Sequence, residues 1–149
     1  MKKMSDQRAG GFLITKIHQL SGRIFSRKMK KHQINDLNPA QGRIMFALWQ
    51  NDGISIKDLV KETVLGKSTL TTMLDRLVNS GHVKRVVSKT DKRQFQIYLT
   101  DKSKKIEIKY SDISEEMNNL FYKGFSDLEI DQFEKNLTRI LKNLQNHTN

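Results

Sequence analysis

VLGKSTLTTML, residues 64 to 74, admits two readings that lead to different folds. Gly66, Lys67 and Ser68 followed by an apolar helix look like the end of a phosphate-binding loop. Such a loop wraps its amides round a polyphosphate, so it needs a glycine five residues before Gly66 and a strand leading into it. Position 61 is Lys61, and a helical pattern precedes it. No apolar strand ending in a metal-binding Asp appears elsewhere, and the nucleotide-hydrolase reading fails on these grounds.

The second reading starts from five hydroxyl residues gathered near one helix end: Ser68, Thr69, Thr71, Thr72 and, on the preceding helix, Thr63. Threonine is an indifferent helix former, so propensity does not ask for such a run. With Leu70, Leu74, Leu77 and Val78 forming the apolar stripe, helical spacing turns Lys67, Ser68, Thr71, Thr72 and Asp75 outward. Short hydroxyl side chains at a helix start suit a DNA major groove, where they meet base edges, phosphates and thymine methyls.

The flanking segments supply context. Leu13, Ile17, Leu20 and Ile24 alternate in steps of four and three, which predicts a long amphipathic helix from 11 to about 32. In NPAQ, Asn38 caps, Pro39 takes the first helical position and Gln41 reaches back, opening a second helix that runs to about Gln50. Ser55 caps a third, with Asp58 completing the box and Ile54 stapling onto Leu59. The fourth helix stops at Ser80 and Gly81.

HVKRVV and QFQIYL then read as two strands, the second alternating Phe95, Ile97 and Leu99 inward, with SKTDKR (88–93) as the loop between them. Thr100 caps a fifth helix carrying Ile106, Tyr110, Ile113, Met117 and Leu120. Ser126 with Glu129 opens a sixth carrying Ile130, Phe133, Leu137, Ile140 and Leu144. The predicted class is mostly α with a small β-hairpin wing: a winged helix-turn-helix flanked by N- and C-terminal dimerisation helices.

Composition agrees with a polyanion-binding chain. The 149 residues carry a net charge of +11, and residues 1 to 101 hold 19 Lys and Arg against 8 Asp and Glu, while residues 102 to 149 hold eight of each. The basic half is the half with the helix-turn-helix, so duplex DNA is the expected partner, ahead of an anionic membrane. With no cysteine, a disulfide framework, a thiolate zinc site and release by thiol oxidation are excluded. No apolar run approaches the roughly 18 residues that span a bilayer. The N-terminal stretch lacks a secretory pattern, so a cytoplasmic protein without a membrane partner is expected.

DKRQFQIYLT, residues 91 to 100, resembles the wing signature D-x-R-x-x-x-x-x-L-T of the MarR family of bacterial transcription regulators, at Asp91, Arg93, Leu99 and Thr100. LNPAQGRIMFALW resembles that family's second helix, and KSTLTTMLDRLVNSGHVKR its recognition helix and first wing strand. The resemblance implies one MarR-type domain over 1–149, with dimerisation helices at 11–37 and 101–146 and a DNA-binding lobe at 38–100. Within the lobe the helix-turn-helix covers about 55–80 and the wing about 83–100. It implies that Arg93 enters the minor groove and that Asp91 holds the loop. Two departures, Thr72 where relatives often carry a basic residue and Gly66 where they carry a better cap, put the operator sequence in question.

The expected DNA-binding residues are Ser55, Lys67, Ser68, Thr69, Thr71, Thr72, Arg76, Lys89, Lys92 and Arg93. The heptad-like seams at Leu13, Ile17 and Leu20 and at Phe133, Leu137, Ile140 and Leu144 are expected to close a homodimer on an inverted-repeat operator. By resemblance, the protein is a repressor released by a small aromatic or phenolic ligand, with His18, Met45, Phe46 and Trp49 as pocket residues. The histidines, scattered without metal-ligand spacing, are assigned to the core edge or the surface. No catalytic set, no cofactor and no metal site is expected, and the chain is not read as an enzyme. The competing class is a basic winged-helix module binding RNA, a membrane or a protein, or a metal-responsive MarR relative. An RNA reader would show aromatic residues on its binding surface, and SKTDKR has none.

Overall fold

The computed structural model describes residues 1–148. After a single 3-10 turn at Met4–Asp6 the elements run α1 (Gly10–Lys31), α2 (Pro39–Gln50), β1 (Ile54–Ser55), α3 (Ile56–Thr63), α4 (Lys67–Asn79), β2 (Val83–Val87), β3 (Phe95–Leu99), α5 (Asp101–Phe121) and α6 (Asp127–Gln145). They form two compact units, Met1–Ile113 and a second that begins at Ser114, so α5 contributes to both. The mostly helical class with a small antiparallel sheet is the one read from the sequence.

Local chemistry sets the helix starts. Asn38 Oδ1 accepts from the Gln41 N–H at 2.8 Å and Gln41 Oε1 from the Asn38 N–H at 3.1 Å, the reciprocal box that satisfies two orphan donors of α2. Ser126 and Glu129 do the same for α6. Ser55 Oγ accepts from the Asp58 N–H at 3.1 Å at the start of α3, and only this arm of the expected box forms. Thr100 anchors α5 through a different exchange: its N–H donates to Ser103 Oγ at 3.0 Å, while its own hydroxyl donates to the Gly81 carbonyl at 2.6 Å. The strand end is thereby tied to the turn after α4.

The core of the first unit lies where α2, α3 and α4 pack on the sheet, with Ile44, Met45, Leu48, Leu59, Leu70, Leu74, Leu77 and Ile97 excluded from solvent. The sheet has three strands in the order β1-β3-β2, all antiparallel. The third strand, β1, was not foreseen: Ile54 pairs with Ile97 and Ser55 with Gln96, so the short stretch before α3 is also the edge of the wing sheet. The inward alternation of β3 holds for Ile97 and Leu99 and fails at Phe95, which is 41% exposed. That ring stands at the base of the wing loop, where it borders an open cavity with Ile56 and Val60 of α3.

A second cluster joins α1, α2 and the start of α5. Tyr110 stacks with Trp49 at a centroid distance of 4.7 Å and with Phe25 at 5.2 Å, and Trp49 Nε1 donates to the Ser103 carbonyl at 3.3 Å. Burial pushes the Tyr110 hydroxyl up to about 12. Gly42 makes this packing possible, because a Cβ there would collide with the Tyr110 hydroxyl.

In the second unit the end of α5 and α6 form a helical hairpin turned at Gly124, whose φ of +87° suits only glycine well. Phe121, Tyr122, Phe125 and Phe133 gather their rings at 5.1 to 6.4 Å, and Tyr122 Oη donates to Glu134 at 2.9 Å. None of the described residues of this unit is buried. Two helices cannot enclose a core between them, so their apolar seams need further cover.

Candidate nucleic-acid interface

The turn from α3 to α4 aims the second helix. Val64 closes α3 in the left-handed region, φ 57°, with its N–H donating to the Val60 carbonyl at 2.9 Å. Thr63, counted above with the hydroxyls of the next helix, is buried: its hydroxyl donates to the Leu59 carbonyl at 2.7 Å and accepts from the Leu65 N–H at 3.4 Å. It braces the turn from inside. Gly66 precedes α4 without a side-chain cap, leaving the first amides of that helix open at the surface.

With Leu70, Leu74 and Leu77 inside, Lys67, Ser68, Thr69, Thr71, Thr72, Asp75 and Arg76 all lie on the exposed side of α4. Val78, expected in the stripe, is half-buried. Thr71 Oγ1 donates to the Lys67 carbonyl at 2.8 Å and Thr72 Oγ1 to the Ser68 carbonyl at 3.1 Å. Each hydroxyl has one proton, and both protons are engaged within the helix. What the two threonines turn outward is therefore acceptor lone pairs and methyl groups, a face matched to exposed amino groups and apolar edges.

The wing loop is held by its own side chains. Ser88 is buried, and its Oγ accepts from the Thr90 and Asp91 N–H groups at 3.3 Å each. The Gln94 N–H closes onto the Asp91 carbonyl at 3.0 Å. Asp91 Oδ1 accepts from the Arg93 N–H at 3.1 Å and from Arg93 Nε at 3.2 Å. Those bonds hold the Asp91 carboxyl below its usual range. Lys89, Lys92 and Arg93 are exposed.

Between these two parts lies an open cavity of about 480 Å³ lined by Ile56, Val60 and Phe95 with Lys57, Lys67 and Arg93 at its edges. Two expected contact residues from separate elements, Lys67 and Arg93, thus border one basin. Lys57 was missed by sequence reasoning, since a lysine in the first turn of an amphipathic helix is indistinguishable there from a solvated one. Ser55, expected to touch DNA, is half-buried and occupied as the α3 cap.

The remaining expectations fall at other places. Met45 is fully buried core, Trp49 belongs to the Tyr110 cluster, Phe46 is half exposed on α2, and His18 is exposed on α1. His82 is not at the core edge but wholly buried. Its Nε2 donates to Asp36 at 2.9 Å, its Nδ1 has no partner, and Lys102 meets the same carboxylate at 2.7 Å. Among the described residues no three His, Cys, Asp or Glu gather as metal ligands, and no helix is long and apolar enough to cross a membrane. Leu13, Ile17, Leu20, Ile140 and Leu144 are exposed, and Phe133 and Leu137 partly so.

Comparison with known proteins agrees with this geometry. The MarR family model matches residues 37–95, which contain α2, the helix-turn-helix and the wing loop. The regulator SarZ of Staphylococcus haemolyticus, an HTH-type transcriptional regulator, is 33% identical over 117 residues, covering 78% of this chain and 73% of SarZ. TtmR of Methylorubrum extorquens, also an HTH-type transcriptional regulator, is 36% identical over 83 residues, 56% of this chain and only 41% of TtmR. Among solved structures, a mutant of the E. coli MarR protein in complex with operator DNA superposes with a TM-score of 0.77 at 26% identity, covering 88% of this chain and 92% of that one.

Proposed function

This chain belongs to the MarR family of transcriptional regulators, and we propose that it is a sequence-specific reader of double-stranded DNA that binds as a homodimer to an inverted repeat. The observation that carries this reading is the hydroxyl-rich outer face of α4 beside a wing whose Arg93 is held by Asp91. A helix of short polar side chains fits a major groove, and a preset guanidinium fits the adjacent minor groove. The basin between the two carries Lys57, Lys67 and Arg93 at its edges, and these three cations supply charge that a phosphate backbone requires.

The dimer is supported by exposed apolar seams in both units, at Leu13, Ile17 and Leu20 and at Ile140 and Leu144. A second copy offers the same seams and closes them by symmetry. The paired recognition helices would then meet successive turns of the major groove, about 34 to 36 Å apart. Repression relieved by a small aromatic ligand is the regulatory mode we assign. The solved DNA complex of the related E. coli protein supports the DNA part of the reading, and the wing carries no aromatic residue of the kind a single-strand RNA reader would use.

Selection from random duplex DNA at near-physiological salt tests the proposal. Enrichment of an inverted repeat is the expected result. Recovery of no sequence, or of single-stranded RNA in a parallel selection, would overturn it.

A further inference from the structure

We propose that Arg85 is a positioning residue of the DNA-reading head, acting through Asp75: it fixes wing strand β2 against the recognition helix and cancels the one carboxylate on that helix's outer face. The proposal rests on the DNA-binding reading above. Arg85 is on the wrong side of its strand for an ordinary surface cation. Along β2, Val83 is buried, Lys84 exposed and Arg85 only partly accessible, so Val83 and Arg85 share the inward face. Directly across the ladder from Arg85 stands Ile97, which is fully buried.

A guanidinium brought to the core side of a sheet must find an acceptor. It finds Asp75 on α4, with Nη2 donating to Oδ1. The Arg85 side chain is 27% exposed and that of Asp75 56%, and ion pairs this open add little to stability. The pair's effect lies in position and charge. β2 is an edge strand, hydrogen-bonded to β3 alone, and the ion pair ties its other attachment to α4.

Asp75 follows Thr71 and Thr72 by one helical turn, on the same outward stripe. A bare carboxylate there would face the phosphates as the helix enters the groove and oppose association. Paired, it is close to neutral, and the two DNA-contacting parts, α4 and the wing, keep a fixed relation.

The alternative role for Arg85, a direct phosphate contact, gives opposite results in a double-mutant cycle. The full-length parent, Asp75→Asn, Arg85→Met and the double variant are titrated by fluorescence anisotropy against the duplex enriched in the selection, at several salt concentrations. Arg85→Met is expected to lose roughly tenfold in affinity, because it strands Asp75. The double variant should recover to within about threefold of the parent, with the salt slope unchanged.

A parent that binds no duplex overturns the DNA-binding reading and this proposal with it. A parent that binds while the double variant stays roughly tenfold weaker than it, with the slope reduced by about one per protomer, makes Arg85 a phosphate contact and overturns the pair alone. Thermal melting of each variant separates loss of fold from loss of positioning. The double variant carries no stranded charge, so its affinity decides the matter even if Arg85→Met fails to fold.

Discussion

Asp91 receives Arg93 twice, through the backbone N–H at 3.1 Å and through Nε at 3.2 Å, although the arginine side chain is 90% exposed. A carboxylate two residues away thus orders a guanidinium that would otherwise sweep freely through solvent. Arg93→Lys keeps the charge but loses the planar fork, so it should not rescue DNA binding. A loss of about 1 to 3 kcal/mol is expected, and Asp91→Asn should lose part of it. Lys92→Ala should show only the milder loss of a solvated contact. If Arg93→Lys binds like the parent, the wing acts as a charge pad.

Because the Thr72 proton is engaged with Ser68, its outward contribution is one acceptor and one methyl. Thr72→Val keeps the methyl, removes the acceptor and should relax preference at a single operator position. Lys67→Ala, at the helix start, should weaken all sequences to a similar degree. Repeating the duplex selection with both variants distinguishes the two roles. A Thr72→Val variant with the parent's preferred sequence would show that this threonine reads no base.

Val64 is a β-branched residue at φ 57°, and the residue is 60% exposed. The left-handed conformation costs such a residue of order 1 to 3 kcal/mol, and little packing is lost by removing it. Val64→Gly should stabilise the protein by about 1 kcal/mol, raising Tm by roughly 2 to 4 °C in a thermal melt. A lower Tm would show that the valine side chain has a partner more valuable than the strain it causes.

His82 should make the fold sensitive to acid. Burial lowers its pKa, against the opposing pull of the Asp36 carboxylate, so the folded protein keeps it neutral where the unfolded chain takes up a proton. That contribution is present above the ordinary histidine value, about 6.5, and is lost as pH falls from there toward the lowered folded value. Asp36, although burial alone would raise it, lies below its ordinary value because of Lys102 and His82. Its contribution is lost only at lower pH, below about 3.8. Urea midpoints measured at pH 7 and pH 5 should differ for the parent and converge for His82→Gln. Equal parental midpoints would contradict this assignment.

The exposed seam of α6 gives the last test. Leu137→Asp or Ile140→Asp should shift the sedimentation of the protein toward monomer and weaken duplex binding in parallel, since both half-sites must be held by one particle. A parent that sediments as a monomer at micromolar concentration would count directly against the dimer.

Much of this architecture is written in local sequence because its determinants are local. Asn38 with Gln41 and Ser126 with Glu129 meet within one helical turn, and the stripe of Leu70, Leu74 and Leu77 is fixed by helical period. The family resemblance through Asp91, Arg93, Leu99 and Thr100 added a fold to that pattern of helices and strands.

Tertiary structure alone decided the features that join distant segments. Ile54 becomes a strand only because Ile97 is there to pair with it, and the Leu99 N–H reaches Asp52 Oδ1 at 2.8 Å across 47 residues. Thr63 and His82 look like surface residues until the turn and the α1–α2 loop close over them, while Phe95, apolar and in phase, stays 41% exposed, lining an open cavity beside α3. Asp75 and Arg85 carry no shared motif and meet only when β2 packs on α4. A periodic pattern records which face a residue turns inward, because that depends on backbone geometry within the element. What stands opposite that face depends on how elements separated in sequence come together, and no local pattern records it.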